Sequence, residues 1–105
     1  MRTIYTDQSL ESLEESIQFF LNVQKVPLEK AREIGNRLLD KADSLADNPH
    51  IGQFEEYLEH LGKEHRRLVE GNFKIIYRIV GENVYITDFF DTSQSVFPFR
   101  GFSRW

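Results

Sequence analysis

The sequence predicts an α+β domain: an N-terminal strand, an antiparallel two-helix hairpin, and an antiparallel sheet that ends in a three-stranded meander (β-α-α-β-β-β). Three observations carry this prediction. Apolar residues recur at helical spacing twice in the first half, in segments divided by a short break at Asn22–Pro27. The second half holds three extended, β-branched and aromatic runs divided by Glu70-Gly71-Asn72 and Gly81-Glu82-Asn83. At 105 residues the chain has the size of one domain, with a core large enough to hold without disulfides or metals.

Residues 2–6 open the chain as a short strand, since Ile4, Tyr5 and the flanking threonines favour extended backbone. Thr6 or Asp7 then caps a helix by accepting a hydrogen bond from a first-turn amide. Its apolar positions are Leu10, Leu13, Ile17, Phe20 and Leu21, and Glu11, Glu14 and Glu15 lie near its positive end. Pro27 suits a loop or the first turn of the second helix, whose apolar stripe is Ala31, Ile34, Leu38, Ala42 and Leu45. Gly35 within that helix costs up to about 1 kcal/mol relative to alanine, which suggests either close packing against the first helix or no special role.

Asn48-Pro49-His50-Ile51-Gly52 ends the second helix and turns the chain. Residues 54–63 read either as a short helical turn or as a loop. Strands follow at 65–69, 73–80 and 84–90. In the middle one, Phe73, Ile75, Tyr77 and Ile79 share one face, and Lys74, Ile76, Arg78 and Val80 share the other. Both faces are partly apolar, so this strand is expected to be central. The first face should lie under the helices and the second should be semi-exposed. A tail over about 95–105 is unusually aromatic and basic, and residues 1–105 read as a single domain.

Composition narrows the function. The chain has no cysteine, which removes disulfide frameworks, thiolate metal sites and cysteine nucleophiles. His50, His60 and His65 do not have the spacing of a zinc set, and a surface position is expected for each. No cofactor motif is present. No apolar run approaches the roughly 20 residues of a membrane span, and the start lacks the apolar core of a signal peptide, so a cytoplasmic location is expected. The net charge of −4 argues against a generic nucleic-acid binder. The charge is uneven: residues 1–63 carry 7 basic and 12 acidic side chains, whereas residues 64–105 carry 6 and 5. A local cationic patch in the second half is therefore compatible with the overall acidity.

The element order and several landmarks together resemble the RelE/ParE superfamily of bacterial toxins, over most of the chain from the first strand to Gln94. The acidic, leucine-punctuated run Ser9–Phe20 is similar to the family's first helix, and Pro49-His50-Ile51-Gly52 to its Pro-x-x-Gly turn. Most specific is the run His65-Arg66-Arg67-Leu68-Val69-Glu70-Gly71-Asn72-Phe73-Lys74-Ile75-Ile76-Tyr77-Arg78-Ile79, which resembles the family's Arg-rich strand, glycine turn and basic-aliphatic-aliphatic-Tyr strand. Asp91-Thr92-Ser93-Gln94 stands where many members read His-Thr-Arg-Gln.

The resemblance implies the toxin of a toxin-antitoxin (plasmid stabilisation) module, neutralised by a cognate antitoxin. Two activities occur in the superfamily. ParE-like members bind DNA gyrase and perform no known chemistry of their own. RelE-like members cleave mRNA on the ribosome, a reaction that needs a base, a proton donor and cations beside the phosphate. In this chain Lys74, Arg67 and Arg78 are the phosphate-stabilising candidates for such cleavage. Ser93 replaces a cation of the family motif, Asp91 replaces a histidine, and Phe99 stands where some members place a tyrosine. The gyrase-binding branch is therefore favoured, with ribosome-dependent cleavage and a member that has lost toxicity as alternatives. Residues expected to contact the target or the antitoxin are Arg66, Arg67, Lys74, Arg78, Phe97, Phe99, Arg100, Phe102, Arg104 and Trp105. Tyr77 is expected in the core. The expected partners are the antitoxin and gyrase, or the ribosome and mRNA in the alternative, with a homodimer or toxin-antitoxin hetero-oligomer as the assembly.

Overall fold

In the computed structural model the described residues are 1–93, so the aromatic tail and its expected contacts, Phe97, Phe99, Arg100, Phe102, Arg104 and Trp105, lie outside them. The elements run β1 (Arg2–Tyr5), α1 (Asp7–Asn22), α2 (Leu28–Asp43), β2 (Gln53–Phe54), a 3-10 helix (Glu56–Leu61), β3 (Arg66–Glu70), β4 (Phe73–Val80) and β5 (Asn83–Asp91). They form one five-stranded sheet in the order β1-β5-β4-β3-β2. The meander is antiparallel as expected, and β1 adds to it as a parallel neighbour of β5.

The helical hairpin covers one face of the sheet. Leu13, Phe20, Ala31, Leu38, Ala42 and Leu45 meet Phe73, Ile75, Tyr77, Val84, Ile86 and Phe89 in the main core. Thr6 caps α1 twice over: its hydroxyl accepts from Ser9 N–H at 3.2 Å and donates to the Ile86 carbonyl of β5 at 3.0 Å. The helix is thereby fixed both to its own first turn and to the sheet.

The buried face of α1 differs from the apolar stripe in the sequence. Ser9, Ser12 and Ser16 are buried with Leu13 and Phe20, whereas Leu10 is 46% exposed. Small side chains let the helix axis come close to β5, and a serine hydroxyl tolerates burial because it bonds within its own helix. Ser9 Oγ does so, donating to the Thr6 carbonyl at 2.7 Å. Of the two readings of Gly35 the close packing fits, because a Cβ there would meet Ile17 Cδ1 at 3.4 Å. That is ordinary contact, so Gly35→Ala should leave stability unchanged or raise it by up to about 1 kcal/mol through helix propensity. A lower denaturant midpoint for this variant would show that the hairpin is tighter than described.

The alternation of β5 carries one irregularity. Ile76 pairs with Asp88 but Tyr77 pairs with Ile86, so Thr87 is an extra residue and β5 bulges there. The bulge reverses the phase of the strand. Val84 and Ile86 face the helices before it, and Phe89 faces them after it, a combination that strict alternation forbids.

The second face of the sheet is less open than expected. The 3-10 helix lies across it, and Leu58 with partly buried Leu61 packs on Ile76 and Phe90 in a smaller cluster. Residues 54–63, ambiguous in sequence, are thus a helical cover over that face, and Ile76 is fully buried.

Candidate functional site

Pro49 and Gly52 shape the turn that leads to this cover. The Tyr77 hydroxyl, on a fully buried side chain, accepts from Gly52 N–H at 2.9 Å and donates to the Pro49 carbonyl at 2.8 Å. The Pro-x-x-Gly turn and the strand tyrosine are therefore one structural unit. Tyr77 is a core residue, as expected, with burial raising the pKa of its phenol against the opposing effects of the Gly52 hydrogen bond and the Arg66 charge. Tyr77→Phe should cost about 1–3 kcal/mol, since it leaves a buried amide and a partly buried carbonyl without this partner. Urea unfolding monitored by circular dichroism checks this.

The four strand cations do not form one patch. Alternation on β3 places Arg66 on the face of Tyr77 and places Arg67 with Ile76 on the other. Arg66 donates to the Gly52 carbonyl at 2.8 Å and stacks its guanidinium 4.2 Å from the Phe54 ring centroid. Arg67 donates to the Phe54 carbonyl at 2.6 Å and to Gln53 Oε1 at 2.9 Å. Arg78 donates through Nε to the Lys63 carbonyl at 3.1 Å. Lys74 Nζ lies 2.9 Å from Glu55 Oε1 and 5.3 Å from the Tyr57 ring centroid.

Glu55 is the organising residue, and no motif or periodicity in the sequence marks it. Its side chain is only 1% exposed, and its second oxygen lies 3.7 Å from Arg67 Nη1 and accepts from Tyr57 N–H at 3.2 Å. Its backbone N–H donates to the His65 carbonyl at 2.8 Å. Burial of a carboxylate requires such compensation. Each of the four cations thus bonds the 52–63 segment, and Lys74 and Arg67 also neutralise Glu55. Arg66, Arg67, Lys74 and Arg78 were expected at a contact surface. The structure uses all four to fasten the cover to the sheet.

The two halves of the motif that a ribonuclease of this superfamily would use are also separated. Lys74 pairs across the sheet with Phe90, on the face under the 3-10 helix, whereas Asp91 pairs with Phe73, on the face under the helical hairpin. Asp91 Oδ1 accepts from Ser93 N–H at 2.9 Å and from Ser93 Oγ at 2.7 Å, closing a local turn at the end of β5. Asp91 and Ser93 thus hold each other at the end of β5.

His65 corrects the expectation of a surface histidine: it is 2% exposed. Burial foremost, with the charges of Arg78 and Lys63, pushes its pKa down to about 4. Because the unfolded chain binds this proton near pH 6.5, stability is complete above that value and is lost as pH falls toward 4. Between pH 7.5 and 5 the loss should be about 1–2 kcal/mol. His65→Leu should flatten the slope of stability against pH in that window, and an unchanged slope would assign it to other groups. Among the described residues, no group of three or more His, Cys, Asp or Glu side chains is placed to hold a metal ion. No helix among them is long and apolar enough to cross a membrane.

The described residues thus combine a helical hairpin on a mixed sheet, a Pro-x-x-Gly turn locked to a strand tyrosine and a basic β3–β4 hairpin. The model of the ParE toxin of the type II toxin-antitoxin system parDE matches residues 3–96, and the chain belongs to that family. A solved chain from the chromosomal ParDE TA system from P. aeruginosa is similar in fold, with a TM-score of 0.71. It is 15% identical, and the match covers 87% of this chain and 95% of that one. No curated protein matches the sequence significantly.

Proposed function

We propose that this protein is a growth-inhibiting toxin that acts by binding DNA gyrase, without chemistry of its own, and is neutralised by a cognate antitoxin. The observation that carries this reading is the engagement of Lys74 and Arg67 by the buried Glu55 carboxylate. A phosphate in a cleavage transition state needs cations free to meet developing charge, and a carboxylate already fills that place here. Family membership supports the toxin role and the antitoxin partner. The exposed Phe54 and Tyr57 rings, beside the basic strand, offer rigid aromatic area of the kind protein interfaces favour.

The test is supercoiling of relaxed plasmid by purified gyrase and ATP, with increasing amounts of the folded protein. Supercoiling should fall as the protein approaches and exceeds the enzyme, and recover when the antitoxin is added. Full supercoiling at large molar excess would overturn the proposal.

A further inference from the structure

The 3-10 helix and its flanks are held to the sheet largely by polar side chains. Leu58, with partly buried Leu61, makes the apolar contact, on Ile76 and Phe90 in a cluster separate from the main core. A backbone bond from Glu55 N–H to the His65 carbonyl ties the start of the segment to the chain before β3. Side chains add the bonds of Glu55 to Lys74 and Arg67, and of Arg78 to the Lys63 carbonyl. A 3-10 helix of six residues contributes little cohesion of its own. Beside it runs a cleft of about 380 Å³, where Glu55, Glu56, Glu59 and Glu64 stand with His65 and the Phe54 ring. Its lining among the described residues holds no Lys or Arg, so the carboxylates repel one another there. The two ends of the segment differ. At its start, β2 and the Tyr77 bonds to Gly52 and Pro49 anchor the chain. At its end, Gly62 (φ 66°) and Glu64 (φ 55°) take left-handed backbone on either side of Lys63, a conformation that is strained for glutamate.

We propose that residues 55–63 are a lid that lifts off the sheet as a unit while the rest of the domain stays folded, with Glu55, Lys74 and Arg67 as its latch and residues 62–64 as its hinge. Lifting breaks the latch, the Arg78 bond and the small apolar cluster, and it relieves the strain at Glu64. The main core, the ladders of β3, β4 and β5 and the Tyr77 bonds stay intact. Local opening of this kind is drawn from elements with few buried apolar contacts. The open form presents Ile76 and Phe90 beside two cations released from Glu55, an apolar and basic surface that the closed form hides. The lid belongs to the free protein, and it stands whether or not gyrase is the target.

The chain has no cysteine, and Ile75 and Ile76 are fully buried neighbours on β4, one under the helical hairpin and the other under the lid. Ile75→Cys and Ile76→Cys therefore place the same thiol on the two faces of the full-length protein. Its reaction rate with an aromatic disulfide, relative to the chain unfolded in urea, gives an opening constant. Urea denaturation of each variant gives its global unfolding constant. For Ile76→Cys the opening constant should exceed the global one by about 100-fold or more, whereas for Ile75→Cys the two should agree. Agreement for Ile76→Cys, or an equal excess in both variants, would overturn the proposal. Adding Glu55→Gln to Ile76→Cys should raise opening and global unfolding by the same factor, about 10-fold or more, because both states lack the latch. A rise in global unfolding alone would mean that the thiol reacts with the latch closed, and would also overturn it. Hydrogen exchange of the unaltered protein makes the same test without a substitution. The amides of Glu55, Leu58 and Gly62 should open with one shared constant, about 100-fold or more above that of the β4 amides. Exchange of lid and β4 amides with the same constant would overturn the proposal.

Discussion

Gly52→Ala should be among the most damaging single-methyl additions in this protein, lowering stability by about 3 kcal/mol or more. An added Cβ would stand 2.4 Å from the Tyr77 hydroxyl and 2.6 Å from the Arg67 carbonyl oxygen. The first of these atoms is pinned by hydrogen bonds to both sides of the turn, and the second belongs to the β3 backbone. Neither has room to yield, so the methyl group must break the Tyr77 bonds or displace the strand. The loss then combines overpacking with buried polar groups left without partners. A chemical denaturation curve at pH 7.5 gives the number directly. A Gly52→Ala midpoint within about 0.5 kcal/mol of the parent would show that the turn is not held as described. Gly35→Ala is the internal control, since the same chemical change in ordinary contact distance should be harmless.

Glu55→Ala should cost about 2–4 kcal/mol, and Lys74→Ala should also lower the melting temperature clearly. On the ribonuclease reading, Lys74→Ala would spare stability and remove activity. The 2.9 Å pair with a buried carboxylate predicts the reverse order of effects. Lys74 and Arg67 retain about a fifth of their side-chain exposure, which tempers the loss relative to a fully enclosed pair. Breaking and replacing the pair should differ. The double variant Glu55→Leu/Lys74→Met removes both charges and keeps apolar volume, and it should lie within about 1 kcal/mol of the parent. A double-mutant cycle completed with the single variants Glu55→Leu and Lys74→Met measures the coupling. Additive losses would mean that Glu55 and Lys74 act separately, which the geometry does not allow.

Much of this architecture could be read before any coordinates. The two helices, the β4 boundaries and the core position of Tyr77 follow from periodicity, because each element repeats its signal over several turns or pleats. The motif around Pro49, Gly52 and Tyr77 was also visible as three landmarks. Its unity was not, since a hydrogen bond across 25 residues leaves no local pattern. The stretch containing Glu55 was harder still. A 3-10 helix of six residues has too few turns to show a period, and one buried glutamate among many acidic residues looks like surface.

The same reasoning explains the misplaced faces. Leu10 carries the hydrophobic signal of α1, but close approach to β5 selects Ser9, Ser12 and Ser16 for the inside. The bulge at Thr87 defeats strict alternation, so the inward set of β5 could not be taken from period two alone. Residue type alone points His65 to the surface, whereas the Glu55 amide bonds its carbonyl and the chain around it leaves the side chain buried. The cations stand out in the sequence as candidates for a contact surface, and each of them is hydrogen-bonded or paired to the segment over residues 52–63. Their partner was missed, and the partner decides what they do.

On the proposed reading, Lys74, Arg67 and Arg78 serve structure rather than phosphoryl chemistry. Primer extension on a defined mRNA, in a reconstituted translation mixture with the purified folded protein, tests it most directly. The message should stay intact at all ribosomal positions, with wild-type protein and with Lys74→Ala alike. Ribosome-dependent cuts that fade in folded Lys74→Ala would contradict it, and would make Lys74 a catalytic residue released from Glu55 when the protein meets its target.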